Sequence, residues 1–175
     1  MDAAYSIACE KGLAGVNVRA VARACDVAVG TVYNWYPTKS DLISDVIARF
    51  WREALADCMP QAAEGRDFID FCRELHLRVA RAFSRFREGW LTEASSMAAR
   101  DLSAARQREQ ACFAHIRRGL EIALQGDAKL DRSKLEGELA PEAVCLLIWD
   151  CILASLRRND DSCRTLFALL RKTLY

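Results

Sequence analysis

The segment Val29-Gly30-Thr31-Val32-Tyr33-Asn34-Trp35 brings a hydroxyl, a phenol, a carboxamide and a bare backbone together within two helical turns. Thr31 suits a phosphate or a base edge, the Tyr33 hydroxyl a phosphate, and Asn34 an adenine edge or a phosphate. Gly30 carries no side chain, so its backbone admits close approach. Lys39 adds a cation four residues beyond Trp35. This is chemistry for holding a polyanion, not for breaking bonds. No nucleophile stands beside a base at motif spacing, and no glycine-rich phosphate loop occurs. Paired carboxylates fall only in charged stretches, so no catalysis is expected.

Thiols and imidazoles offer less. Eight cysteines stand at positions 9, 25, 58, 72, 112, 145, 151 and 163, without a CxxC. Neither His76 nor His115 lies at ligand spacing to a cysteine pair, so no metal or cofactor is expected. Most of the cysteines fall where the apolar period marks a buried position. They read as small core residues in a reducing cytoplasm, with a thiol redox sensor as the alternative. Arg78, Arg81 and Arg85 form a stripe that reads as a solvated helix face, or otherwise as an anion site.

The elements that must position these residues are helices. The chain has 175 residues, 52% of them hydrophobic, with few prolines and glycines and a 3.6-residue apolar period through most of its length. An all-α protein follows, as one compact unit or two small, closely packed ones. The net charge of +1 does not by itself suggest nucleic acid. The N-terminal residues lack a basic stretch and a long apolar run, and no segment reads as a membrane span. A cytoplasmic location is expected.

A first helix is predicted over residues 2–11, capped at Gly12. Asn17 is a good N-cap for a short helix over 18–25, with Val18, Val21, Ala22 and Cys25 facing inward. Asp26-Val27-Ala28 breaks the pattern. A third helix runs over 29–35 and stops before Pro37, with Val32 and Tyr36 pointing inward. Thr38 and Asp41 have capping-box spacing ahead of a long helix whose buried stripe is Ile43, Val46, Ile47, Phe50, Ala54 and Cys58. Two short helices joined by three residues and braced by a first are the geometry of a helix-turn-helix.

At this point the sequence resembles the TetR family of regulators. The stretch GLAGVNVRAVARACDVAVGTVYNWYPTKSDLISDVI carries the family's helix-turn-helix pattern in order and spacing. The resemblance implies phosphate contacts from Asn17, Tyr33 and Lys39, and places Arg19 in the same DNA-binding set. It implies groove contacts from Thr31, Asn34 and Trp35, with Ala28, Val29 and Gly30 opening the reading helix. Two departures stand out: Asp26 occupies the turn position where the family usually has glycine, and Val29 replaces a residue that is commonly basic or polar.

Beyond a polar joint over residues 61–67 the periodicity predicts helices over 68–88, 90–100 and 103–125, a loop over 126–139, a helix opened by Pro141, and a last helix ending near Leu174. The division expected is a DNA-binding domain over 1–48 and an effector-binding and dimerisation domain over 49–175. The helix over 142–156 is apolar around nearly its whole circumference, so a second copy is expected to cover it. Leu147, Ile148, Ile152, Leu166, Phe167 and Leu170 are the candidate interface residues, in keeping with the way TetR-like proteins dimerise. The resemblance further implies a small-molecule pocket. Trp90, Met97, Phe113, Ile116 and Trp149 are candidates to line it, with His76 or His115 as a polar handle.

The expected function is transcriptional regulation: a homodimeric repressor on a palindromic DNA operator, released by a small-molecule effector. The alternatives are a helical homodimeric interaction protein with weakened DNA binding, and a thiol-based redox-sensing regulator.

Overall fold

A computed structural model describes residues 1–56, 65–85, 104–158, 160 and 162–175, with the backbone alone for 104–112. Among them the regular structure is entirely helical. The candidate residues Trp90 and Met97, the expected helix over 90–100, and Cys58 lie outside the described residues, as does the side chain of Cys112. No described helix is long and apolar enough to cross a membrane. The chain divides into two compact units, 1–54 with 81–112, and 55–80 with 113–175.

In the first unit, α1 (Asp2–Gly15) is interrupted at Gly12, whose φ of 75° takes it out of the helix. That is where the sequence placed the cap; one further helical turn follows before Val16 ends the run. Then come α2 (Val18–Ala24), α3 (Val29–Trp35) and α4 (Lys39–Leu55). Ala4, Ala8, Leu13, Val18, Val21, Val32, Leu42, Val46 and Phe50 are buried together. The ring of Phe83 adds to this core, 4.6 Å from Phe50 and 5.7 Å from Trp51 by centroid.

Electrostatics tie α1 to α4. Arg49 pairs with Asp2 and, at 2.7 Å, with Glu53, while its guanidinium lies over the Tyr5 ring. Hydrogen bonds to Glu53 and Asp2 strengthen the hold of Arg49 on its proton. Burial, then the neighbouring Glu53, pushes the Tyr5 hydroxyl up.

The second unit contains α5 (Phe68–Phe83, to Ala80), α6 (Ala104–Gly126, from Phe113), α7 (Pro141–Arg157) and α8 (Arg164–Leu174). Two short 3-10 turns, Arg132–Lys134 and Gly137–Leu139, occupy the stretch expected to be loop. Asp127 fastens this unit. Its buried carboxylate accepts from the backbone N–H of Phe68 at 2.8 Å, from that of Lys129 at 2.9 Å, and from the Tyr175 hydroxyl. Arg171 makes a two-pronged contact with Asp67 at 2.6 and 2.9 Å and covers the Tyr175 ring.

His76 is also buried here, 3.0 Å from the Ser155 hydroxyl. That hydroxyl donates to the Ile152 carbonyl, so His76 Nε2 donates to Ser155. His76 therefore joins core elements, and His115 is exposed.

Helix α7 has one face in the chain's own core and the other exposed on the single chain. Val144, Cys145, Ile148, Trp149 and Ile152 face their own core, whereas Ala143, Leu146, Leu147 and Asp150 are exposed. Of the expected interface residues, Ile148, Ile152, Phe167 and Leu170 are already buried inside the chain, Leu166 is half-buried, and Leu147 is 57% exposed. A helix apolar all round carries no periodic signal for which side faces inward.

Candidate nucleic-acid interface

The turn between α2 and α3 is built by backbone chemistry. Val27 N–H donates to Ala22 O at 3.0 Å and Asp26 N–H to Arg23 O at 3.3 Å. These are the two bonds of a Schellman cap, which requires a left-handed residue at its apex. Asp26 supplies it with φ 53°. Aspartate tolerates that conformation better than most side chains, so the turn forms without the glycine the family prefers.

Asn17 opens α2. Its Oδ1 accepts from Ala20 N–H at 2.9 Å and its Nδ2 donates to the Gly15 carbonyl at 3.1 Å. The cap is therefore made, and one amide hydrogen remains for a phosphate. Arg19 is exposed on the same helix.

Within α3 only Val32 is buried. At ~100° per residue, Gly30 and Asn34 lie on the side opposite Val32. Val29 and Tyr33 flank them on one edge, Thr31 and Trp35 on the other. Tyr33 is 49% exposed and Trp35 79%, and Thr31 and Asn34 are open to solvent. Tyr36 is half-buried at the C-terminal end, its N–H bonded to Val32 O.

Gly30 is the informative position. It has no positive φ, and a Cβ placed there would meet nothing within 4 Å. Neither conformation nor internal packing asks for glycine, although glycine weakens a helix relative to alanine. A notch kept open on the outermost stripe beside Asn34 fits close approach by a partner's surface.

Lys39 follows at the start of α4, exposed. The capping box there is complete: Asp41 N–H donates to Thr38 Oγ1 at 3.1 Å, and Thr38 N–H to Asp41 Oδ2 at 3.1 Å. The structure thus brings Arg19, Ala28, Val29, Gly30, Thr31, Tyr33, Asn34, Trp35 and Lys39 to the exposed surface of one small unit. Asn17 is half-buried at its edge.

These features are found again in known proteins. Residues 1–46 match the family model described as bacterial regulatory proteins, tetR family. The HTH-type transcriptional repressor KstR of Rhodococcus jostii (strain RHA1) is 30% identical over 165 residues, 93% of this chain and 73% of that protein. The chain belongs to the TetR family. It is a DNA-binding transcriptional regulator.

KstR of Mycolicibacterium smegmatis is 43% identical over 49 residues, 28% of this chain and 24% of that protein. Among solved structures, Salmonella enterica GusR superposes with a TM-score of 0.71 at 20% identity, covering 99% of this chain and 92% of that one. The multidrug binding protein EbrR, complexed with proflavin, gives 0.60 at 20% identity, covering 98% and 95%. These structural likenesses extend the shared fold over the whole chain, beyond the helix-turn-helix.

Sequence reasoning missed that Cys25 is exposed rather than inward-facing. With Val27, Trp35 and Tyr36 it lines an apolar groove of about 300 Å³. No local sequence signal distinguished it, because α2 ends at Ala24 and Cys25 is its C-cap. Two other thiols, Cys72 and Cys145, are buried. Burial pushes Cys72 well up and Cys145 up to about 12, so both stay protonated and unreactive near neutral pH.

Proposed function

We propose that this TetR-family regulator is a repressor that binds a palindromic operator as a homodimer and leaves it when a small molecule enters the second unit. The observation that carries the reading is α3, a helix with one buried residue and an open, glycine-notched outer stripe. Trp35 is exposed together with Val27, Val29 and Tyr33, and exposed apolar surface of that extent on one small unit marks an interaction site.

In this reading α3 lies in the major groove. Thr31, Asn34 and Trp35 contact base edges, and Ala28, Val29 and Gly30 sit at the entering end. Asn17, Arg19, Tyr33 and Lys39 hold phosphates and set the register.

Leu146 and Leu147 on α7 and Leu169 on α8 are exposed, and in this reading two copies pair through them. Phe113, Ile116 and Trp149, all in the second unit, are the described residues assigned in this reading to the effector pocket. The Phe113 and Trp149 rings already meet edge to face at 5.6 Å, and Ile116 is buried beside them in the same unit. That KstR is a transcriptional repressor and that EbrR holds proflavin favour both halves of the reading.

Release follows from linkage. A dimer reads two half-sites only when its recognition helices stand ~34–36 Å apart. An effector that binds a differently spaced state more tightly weakens operator binding, and the operator weakens effector binding by the same factor.

The test is selection of bound genomic fragments with purified protein, followed by titration of the best fragment at several salt concentrations. Lys39→Ala should flatten the logarithmic salt slope by about two, since a dimer presents two copies of each cation. Tyr33→Phe should weaken binding with little change in slope, because it removes a neutral donor. Unchanged affinity in both variants would place the reading head elsewhere.

A further inference from the structure

The reading helix has an unusual chemical inventory. Helix α3 and its N-cap Ala28 carry no lysine, arginine, histidine, glutamine or carboxylate. The nearest acid, Asp26, is held in the left-handed turn, and the nearest cations lie on α2 and at Lys39. Guanine shows two acceptors to the major groove and is matched by a cationic fork; cytosine shows a donor and is matched by a carboxylate. Helix α3 has neither.

Asn34 has an amide whose donor and acceptor match adenine N6 and N7. It sits on the outermost stripe with Gly30 one turn before it, so nothing on the helix blocks its reach. At the entering end the exposed side chains offer mainly apolar groups, beside the Thr31 hydroxyl. Val29 is 39% exposed, Ala28 is exposed, and Thr31 adds a methyl group. In the major groove the apolar feature of a natural base edge is the C5-methyl of thymine.

We propose that this regulator specifies its half-site through thymine methyl groups packed on Val29 and its neighbours, alongside an adenine read by Asn34, and not through guanine. The proposal rests on the DNA-reading role given to α3 above. It assigns Val29 a positive role at the position where it departs from the family's common basic or polar residue. Burying one methyl is worth about fourfold in affinity.

The experiment begins with a randomised duplex pool selected on wild-type protein. The enriched duplex is remade with deoxyuridine at each thymine in turn, which removes the C5-methyl and nothing else. Substitution at one or two thymines per half-site should weaken binding about fourfold each. Val29→Ser, with its melting temperature checked, should weaken the parent duplex similarly and abolish the deoxyuridine effect at one of those positions. Asn34→Ala should relax the preference at one A·T pair.

An enriched duplex that binds equally well with every thymine replaced overturns the proposal. So does an enriched core of guanines whose replacement by 7-deazaguanine abolishes binding. Those results leave the DNA-reading role standing. A pool in which no sequence enriches removes that role and this inference with it.

Discussion

Gly30 separates a folding role from a binding role at the scale of one residue. Since a Cβ there meets nothing in the chain, Gly30→Ala should raise stability by about 0.5–1 kcal/mol through helix propensity. The same methyl fills the notch beside Asn34 and should weaken operator binding at least ~10-fold through overlap with DNA. Thermal melting and fluorescence anisotropy on one preparation check both signs; a variant that is stabilised and binds normally would remove the notch from the account. At this scale much was legible. The Asn17 cap, the Thr38–Asp41 box and the left-handed Asp26 all follow from side-chain chemistry local to a few residues. Cys25 was not, because the helix ends at Ala24 and Cys25 is its C-cap, one residue past where the apolar period still assigns a face.

Elements were legible where their periodicity was one-sided. Helices α2, α3 and the start of α4 fall where caps and breakers put them, and Pro141 opens α7 as a first-turn proline should. The 3-10 turns over 132–139 are too short to leave a period. The orientation of α7 was hidden by its all-round apolar surface, and the structure changes which variant tests pairing. Ile152→Asp would put a charge into the chain's own core, whereas Leu147→Asp changes an exposed position. Leu147→Asp should keep the monomer's helicity and shift the dimer dissociation constant by at least ~100-fold, because an unpaired charge in an apolar interface costs several kcal/mol. Sedimentation of both proteins measures it; a wild-type monomer at micromolar concentration would contradict the pairing.

The fastening at Asp127 makes a pH statement at the same scale. Burial raises its carboxyl pKa, but the Tyr175 hydroxyl and the backbone N–H groups of Phe68 and Lys129 outweigh this and hold it below the ordinary value of 3.8. Asp67 is likewise lowered: burial opposes, and Arg171 with the backbone N–H groups of Asp70 and Ile69 prevails. A group depressed in the folded state stabilises above its unfolded pKa, and the contribution is lost as pH falls through the folded value. Asp127→Asn should therefore cost about 1–3 kcal/mol at pH 7. The gap to wild type should narrow as pH drops below about 4. Denaturant melts at a series of pH values read this, and a gap independent of pH would mean that charge plays no part.

For the whole molecule, composition and period were enough for an all-α architecture, and one cluster of motifs for its DNA-reading head. Nothing comparable marks the effector half. A pocket is assembled from apolar residues that also serve as core, so Phe113, Ile116 and Trp149 look in sequence like any other buried side chains. The head was legible because DNA demands particular groups at particular turns of a helix, whereas an apolar ligand asks only for space. In the proposed function this chain reads sequence in DNA as a symmetric dimer. The most direct measurement is the affinity of wild-type protein for its selected duplex and for a scrambled duplex of equal composition, across a salt series. Arg19 and Lys39 give two cations per protomer, so the logarithmic salt slope should be about −4. The selected duplex should bind at least ~1,000-fold more tightly, with two chains per duplex. Equal affinity for the two duplexes, or one chain bound per duplex, would contradict it.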